Sequence, residues 1–238
     1  MLGTWAACCI FFGVSISLVT VKQGWLTFSS GQPPRITAED EKAAAKREEI
    51  TQALLESDAA KECIANPEQW KRLPFFWHQN QNTRKSAFII GTLHKDEKLA
   101  VEPLVFVSRD RKQFVFVMHI GKDLCGHDGI VHGGILATLF DEATARPAFW
   151  NLPRSVALTA SLKINYRRPV VANQVLVLRT EIANINDRKA EITAHIENAK
   201  GTILCDSEVL YISPKDESLV PDFTPVKAKL EAVYPGEF

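Results

Sequence analysis

His127-Asp128-Gly129-Ile130-Val131-His132-Gly133-Gly134-Ile135-Leu136-Ala137-Thr138-Leu139-Phe140-Asp141-Glu142-Ala143 is the stretch on which the reading of this chain turns. Two glycines open a run in which Ile135, Leu136, Leu139 and Phe140 recur at helical spacing, so a helix is predicted from Gly133 to about Phe149, with Pro147 and Pro153 bounding its far end. The first turn of a helix carries N–H groups without intrahelical partners and the positive end of the dipole. Glycine there lets a carbonyl approach the backbone closely, and such donors stabilise an oxyanion.

Asp141 follows Gly134 by seven residues, nearly two turns, so both fall on one face with Thr138 between them and Ala145 beyond. A carboxylate on that small, polar strip is a candidate base or nucleophile. Glu142 is a rival acid, turned about 100° round the helix from Asp141. Taken alone, His-Gly-Gly is ordinary turn chemistry and a single helical Asp is usually a solvated surface group; their fixed spacing on one apolar helix is what singles them out. Seven residues also separate them by about 10 Å along the axis, too far for one carbonyl carbon to meet both. A second, antiparallel copy of the helix would bring its own Asp141 to the glycines, which predicts an isologous homodimer, or a higher even oligomer, with shared sites.

Working outward, Val105-Phe106-Val107 and Phe114-Val115-Phe116-Val117 flank the polar Arg109-Asp110-Arg111 and read as a hairpin. After the helix, Leu158, Ala160, Leu162, Ile164 and Tyr166 alternate with Thr159, Ser161, Lys163 and Asn165, the pattern of a half-buried strand with Thr159 on its polar face. Strands over 175–185, 189–197 and 202–212 follow, separated by Asn186-Asp187 and by Asn198-Ala199-Lys200-Gly201. One apolar helix among five or six strands gives an α+β fold, a curved antiparallel sheet wrapped around that helix. The domain is placed at 74–213 and a surface tail at 214–238. Residues 29–73 hold a Pro-rich linker, Ser29 to Pro34, and a charged helix from Ala38 to about Ile64 that spaces or flanks the domain.

Residues 1–28 form the remaining segment. Met1 to Val21 contains no Asp, Glu, Lys, Arg or His, and Trp5 and Trp25 lie near its two ends. A retained transmembrane helix is the expectation, with a cleaved targeting segment or a buried helix as the alternatives, since no basic region precedes the apolar run and no clear cleavage site follows it. Thr4, Ser15, Ser17 and Thr20 interrupt the run. Lys and Arg total 28 and Asp and Glu 28, so the chain lacks the basic excess that neutralises phosphates, and nucleic acid is set aside. Its five cysteines are odd in number and form no Cys-x-x-Cys pair, which predicts reduced thiols and no metal site.

His132-Gly133-Gly134 with Ala137-Thr138-Leu139-Phe140-Asp141, followed by Ala157-Leu158-Thr159-Ala160-Ser161-Leu162-Lys163-Ile164-Asn165-Tyr166-Arg167-Arg168-Pro169, resembles the acyl-CoA thioesterases of the hotdog superfamily that carry Asp on the central helix. The resemblance is closest to eukaryotic mitochondrial members and covers roughly Val101 to Ser213. It implies a hotdog fold and hydrolysis of an acyl-CoA thioester to free acid and CoA, with no cofactor beyond the CoA of the substrate. Gly133 and Gly134, with His132 beside them, would polarise the carbonyl; Asp141 would activate water or attack; Thr159 would orient the water. Thr138 and Asn165 join the substrate-binding candidates, and Arg167 and Arg168 are candidates for the CoA phosphates. Many relatives carry Asn or Gln six residues before the His; here that position is Gly126, with His127 next to it as a substitute. This departure supports a second reading, a catalytically weak module that binds acyl-CoA or supports a membrane assembly. A hydratase would need its own His and acid arrangement, which is not found. The same resemblance implies a mitochondrial location, with the N-terminal segment as anchor.

Overall fold

In the computed structural model of the protein, residues 10–12, 15–22, 25–29, 37–75 and 87–216 are described, with 218, 220, 223–225 and 227–228 of the tail. The chain divides into two units, Met1–Ala45 and Lys46–Phe238. In the first, β1 (Ile10–Phe12), β2 (Ser15–Lys22) and β3 (Trp25–Ser29) form an antiparallel sheet in that order. The transmembrane helix expected in this segment is therefore corrected to strands wherever the segment is described. Ser15-Ile16-Ser17-Leu18-Val19-Thr20-Val21 is rich in β-branched side chains, which lose rotamer freedom in a helix and suit a strand. No helix among the described residues is long and apolar enough to cross a membrane. Residues 1–9 of the expected anchor, and the linker prolines, lie outside the described residues.

Helix α1 (Ala38–Glu56) starts at a reciprocal cap: the Asp40 N–H donates to Thr37 Oγ1 at 3.1 Å, and the Thr37 N–H donates to Asp40 Oδ2 at 2.9 Å. The single helix expected up to Ile64 is two. Ser57 takes an extended conformation and its Oγ accepts the Ala60 N–H at 3.3 Å, so it caps a new helix, α2 (Asp58–Ala65).

Seven strands follow in one antiparallel sheet, in the order β4-β5-β6-β10-β11-β12-β9. They are β4 (Trp70–Leu73), β5 (Leu104–Ser108), β6 (Gln113–Ile120), β9 (Leu158–Tyr166), β10 (Gln174–Ile185), β11 (Lys189–Asn198) and β12 (Ile203–Ile212), with a small hairpin of β7 (Cys125–His127) and β8 (Ile130–Val131) between β6 and the central helix. Strand β4 lies in the stretch that the sequence assigns to the linker. Helix α3 (Gly133–Asn151) packs on the inner face of the sheet, burying Leu136, Leu139, Phe140 and Ala143 against Phe116, Leu178 and Ile196. It runs through Pro147 to Asn151, close to the end expected near Phe149, with Pro153 just beyond. On the outer face, Leu54, Ala59, Ala60 and Cys63 of α1 and α2 pack on Phe106, Val115, Val117 and Val177.

That double cover explains the unbroken apolar run Leu104-Val105-Phe106-Val107 of β5, every residue of which is buried. Phe140 is fully buried, and truncating it to Ala is expected to cost about 3–5 kcal/mol. Strand β9 is different. It forms the free edge beside β12, and Leu158 (48%) and Tyr166 (55%) are exposed apolar side chains along it. Of the tail, Phe223 meets the Phe149 ring and Lys227 donates to Trp150 O, both at the far end of α3.

Candidate active site

The first half of the site is built at the start of α3. His132 is extended, φ −63° and ψ 132°, and its Nδ1 accepts the Gly134 N–H at 2.9 Å. The Gly133 N–H has no intrahelical partner at this position and is left as a donor. Because Nδ1 accepts, the neutral imidazole carries its proton on Nε2, a second donor. Two glycines confine the ring. A Cβ on Gly126 would lie 2.9 Å from His132 Cδ2, and one on Gly134 would lie 3.0 Å from Cε1 and Nδ1.

Supporting bonds fix this corner. The His132 N–H donates to Leu124 O and the Val131 N–H to Val170 O, each at 2.8 Å, so the hairpin β7–β8 is stitched to its surroundings. Its turn uses Gly129 at φ 73°, where glycine has no Cβ to strain. Tyr166, at the end of β9, donates its hydroxyl to Gly133 O at 2.9 Å and lays its ring on Gly133. A cleft of 590 Å³ opens here, lined by His127, His132, Gly133, Tyr166, Arg167 and Arg168 among others.

Asp141 forms the second half, at the other end of β9. Thr159 Oγ1 donates to Asp141 Oδ1 at 2.7 Å. Simple alternation would place Thr159 with Ser161 on the outer face. The register between β9 and β12 shifts instead: Leu210 pairs with Ser161 and Tyr211 with Thr159, leaving Ala160 extra. This bulge turns Thr159 towards the helix. Beneath it, Tyr211 Oη donates to Asp141 O at 2.8 Å, lies 3.4 Å from Asp141 Oδ1, and is 2.9 Å from Thr144 Oγ1. Asp141 Oδ2 makes no hydrogen bond among the described residues.

Not every sequence candidate joins. Gly133 and Asp141 stand about 12 Å apart along the axis of one helix, so a single chain carries two half-sites. Thr138 turns its hydroxyl back on its own helix, donating to Gly134 O at 2.9 Å. Asn165 donates to Asp206 at 2.9 Å on the outer face of the sheet, away from the cleft. Arg167 is paired with the same Asp206 carboxylate, which the guanidinium and Asn165 hold below the usual carboxylate range. Arg168 donates to Ile203 O at 2.8 Å. Neither arginine presents an unengaged guanidinium to a phosphate, although both border the cleft. Glu142 is taken by the buried Arg146 at 3.2 Å. Among the described residues no three His, Cys, Asp or Glu side chains gather as metal ligands do. Tyr166, Tyr211 and Thr144 were not among the site candidates read from the sequence; Tyr166 alone carried a local signal, as the last residue of the apolar face of β9.

Residues 128–205 match the family model of the Thioesterase superfamily. The chain is 28% identical over 163 residues to acyl-coenzyme A thioesterase THEM4 of Mus musculus, covering 60% of this chain and 69% of that one. It is 26% identical over 125 residues to an uncharacterized mitochondrial membrane protein, FMP10, of Saccharomyces cerevisiae, covering 50% of each. The solved structure of thioesterase superfamily member 2 from Mus musculus is 16% identical, with a TM-score of 0.40 over 43% of this chain and 82% of that chain. The chain spans 60% of the length of a Schizosaccharomyces pombe relative to which it is 27% identical.

Proposed function

We propose that the part of this chain built around α3, within which residues 128–205 match the family model of the Thioesterase superfamily, hydrolyses acyl-CoA thioesters to free acid and CoA. The observation that carries the reading is the Thr159–Asp141 bond at 2.7 Å, on the same helix whose first turn leaves the Gly133 N–H without an acceptor among the described residues. In this reading the thioester carbonyl lies against the Gly133 N–H and His132 Nε2–H, which take up the negative charge as the carbon becomes tetrahedral. Asp141 Oδ2 removes a proton from water, while Thr159, already donating to Oδ1, accepts a hydrogen bond from that water and orients it. Direct attack by Asp141 on the carbonyl is the chemical alternative, and it differs by forming an anhydride.

Each site would take its carbonyl donors from one chain and its Asp141 and Thr159 from a second copy. The open edge of β9, with Leu158 and Tyr166 exposed, supports such a pairing. A mitochondrial location fits the mitochondrial relative. Gly126 favours a second reading, a module that binds acyl-CoA with little turnover. The test is hydrolysis of short to long acyl-CoAs by the full chain and by Asp141→Asn, with sedimentation to give the oligomeric state. Turnover lost in Asp141→Asn is the expected result. A folded dimer that turns over no acyl-CoA would leave the binding module as the better reading.

A further inference from the structure

Tyr211 lies outside every residue considered so far for chemistry, yet its hydroxyl reaches the reacting carboxylate from inside the core. The side chain is fully buried. Burying a hydroxyl costs free energy unless it is hydrogen-bonded, and Phe would fill the same space without that cost. Here Oη donates to the backbone oxygen of Asp141 at 2.8 Å and stands 3.4 Å from its Oδ1, with Thr144 Oγ1 at 2.9 Å. Thr144 is itself held, donating to Phe140 O at 2.6 Å. On β12, Tyr211 is the register partner of Thr159, past the bulge at Ala160, so the two hydroxyls that meet Asp141 come from adjoining strands.

We infer that Tyr211 is a positioning residue: it anchors Asp141 by the backbone oxygen and packs its hydroxyl beside Oδ1 while Thr159 donates to Oδ1, so that Oδ2 is the oxygen presented to the reaction. The inference rests on the thioesterase reading above. A carboxylate free to rotate about its χ angles spends part of its time with neither oxygen in place, and an error of about 1 Å is worth on the order of a hundredfold in rate. Tyr211 touches no substrate in this arrangement and acts only through Asp141.

The test is acyl-CoA hydrolysis by the full chain carrying Tyr211→Phe, Thr159→Val and both together, with a thermal melt of each. Tyr211→Phe is expected to lower kcat about ten- to a hundredfold with KM within about twofold, because it removes one oxygen from a ring that stays packed. The double variant is expected to lose no more than about threefold beyond the weaker single variant, since both hydroxyls serve one carboxylate. Should Tyr211→Phe fail to fold, Thr144→Val removes the neighbouring hydroxyl and leaves Tyr211 in place; a fall in kcat of several-fold at constant KM is then the supporting result. Wild-type kcat in a folded Tyr211→Phe, or losses that multiply in the double variant, overturns the inference. A wild-type chain without turnover on any acyl-CoA overturns the thioesterase reading, and this inference with it.

Discussion

Gly126 and His132 are fitted to one another: a methyl group on Gly126 would lie 2.9 Å from the imidazole of His132. The glycine at the position where the family resemblance implies Asn or Gln is thus more than a missing amide, because it is the space in which the His132 ring lies. Gly126→Ala is expected to push the ring off the Gly134 N–H, removing a helix cap worth about 1 kcal/mol and misdirecting Nε2. A melting temperature lowered by a few degrees and hydrolysis slowed about tenfold would be the signs. Gly126→Asn should be slower still, although it restores a residue that the resemblance implies. An unchanged rate in Gly126→Ala would show that the ring pose is irrelevant to turnover.

Thr159→Val separates chemistry from folding at the other half-site. Thr159 is exposed on the edge strand, so its replacement should change stability by no more than about 0.5 kcal/mol. Val keeps the β-branch and loses the donor to Asp141 Oδ1. A loss of roughly ten- to a hundredfold in kcat with an unaltered melt is expected. If the two quantities fall together, Thr159 holds the edge strand in place and has no part in orienting water.

The helix and six of the seven strands of the large sheet were legible because their signals are local. Ile135, Leu136, Leu139 and Phe140 repeat at helical spacing, and Ala190, Ile192, Ala194 and Ile196 alternate cleanly on β11. That Asp141 and Thr159 act on one water was implied by the motif resemblance, but the bond that joins them was not legible. Alternation puts Thr159 on the wrong face, and only the extra residue at Ala160, a matter of register with β12, corrects it. Tyr211 was invisible for the same reason, since nothing in its own strand records which residue it faces. That Asp206, 39 to 41 residues away in sequence, engages both Asn165 and Arg167 was likewise not legible from their own strand. The N-terminal segment misled because hydrophobicity and length argue for a spanning helix while its β-branched residues argue for strands.

Two buried thiols make stability fall on the alkaline side. Burial, with Glu62 beside it, pushes Cys63 up from 9.0 to about 11, and burial, with Asp206 beside it, pushes Cys205 up from 9.0 to about 12. Folded values above unfolded ones mean that the folded state holds protons that the unfolded chain releases. The contribution is therefore complete below pH 9.0 and is lost as pH rises towards the folded values. Burial raises the Tyr211 hydroxyl too, which adds the same sign at higher pH. The melting temperature should decline steadily above about pH 9, and Cys205→Ala should flatten that decline even if it lowers the starting value. A melt unchanged between about pH 9 and 11 would mean that the thiols are not shielded as their burial implies.

Sharing of the site between two copies can be tested without knowing the interface in detail. Asp141→Asn removes the base and leaves the helix start whole. Gly133→Val does the reverse: its Cβ would stand 3.4 Å from the Tyr166 ring, at the mouth where a carbonyl must approach the free N–H. Each variant alone should be inactive. Mixed after dissociation and reassociation in equal amounts, half of the dimers contain one chain of each kind, and in each of these one of the two sites pairs an intact Gly133 with an intact Asp141. About a quarter of the wild-type rate should return. Recovery at that level, absent when the two are mixed without exchange, requires that Gly133 and Asp141 of different chains work together. If the site lies within one chain, no mixture recovers, because every chain then carries a defect in its own site.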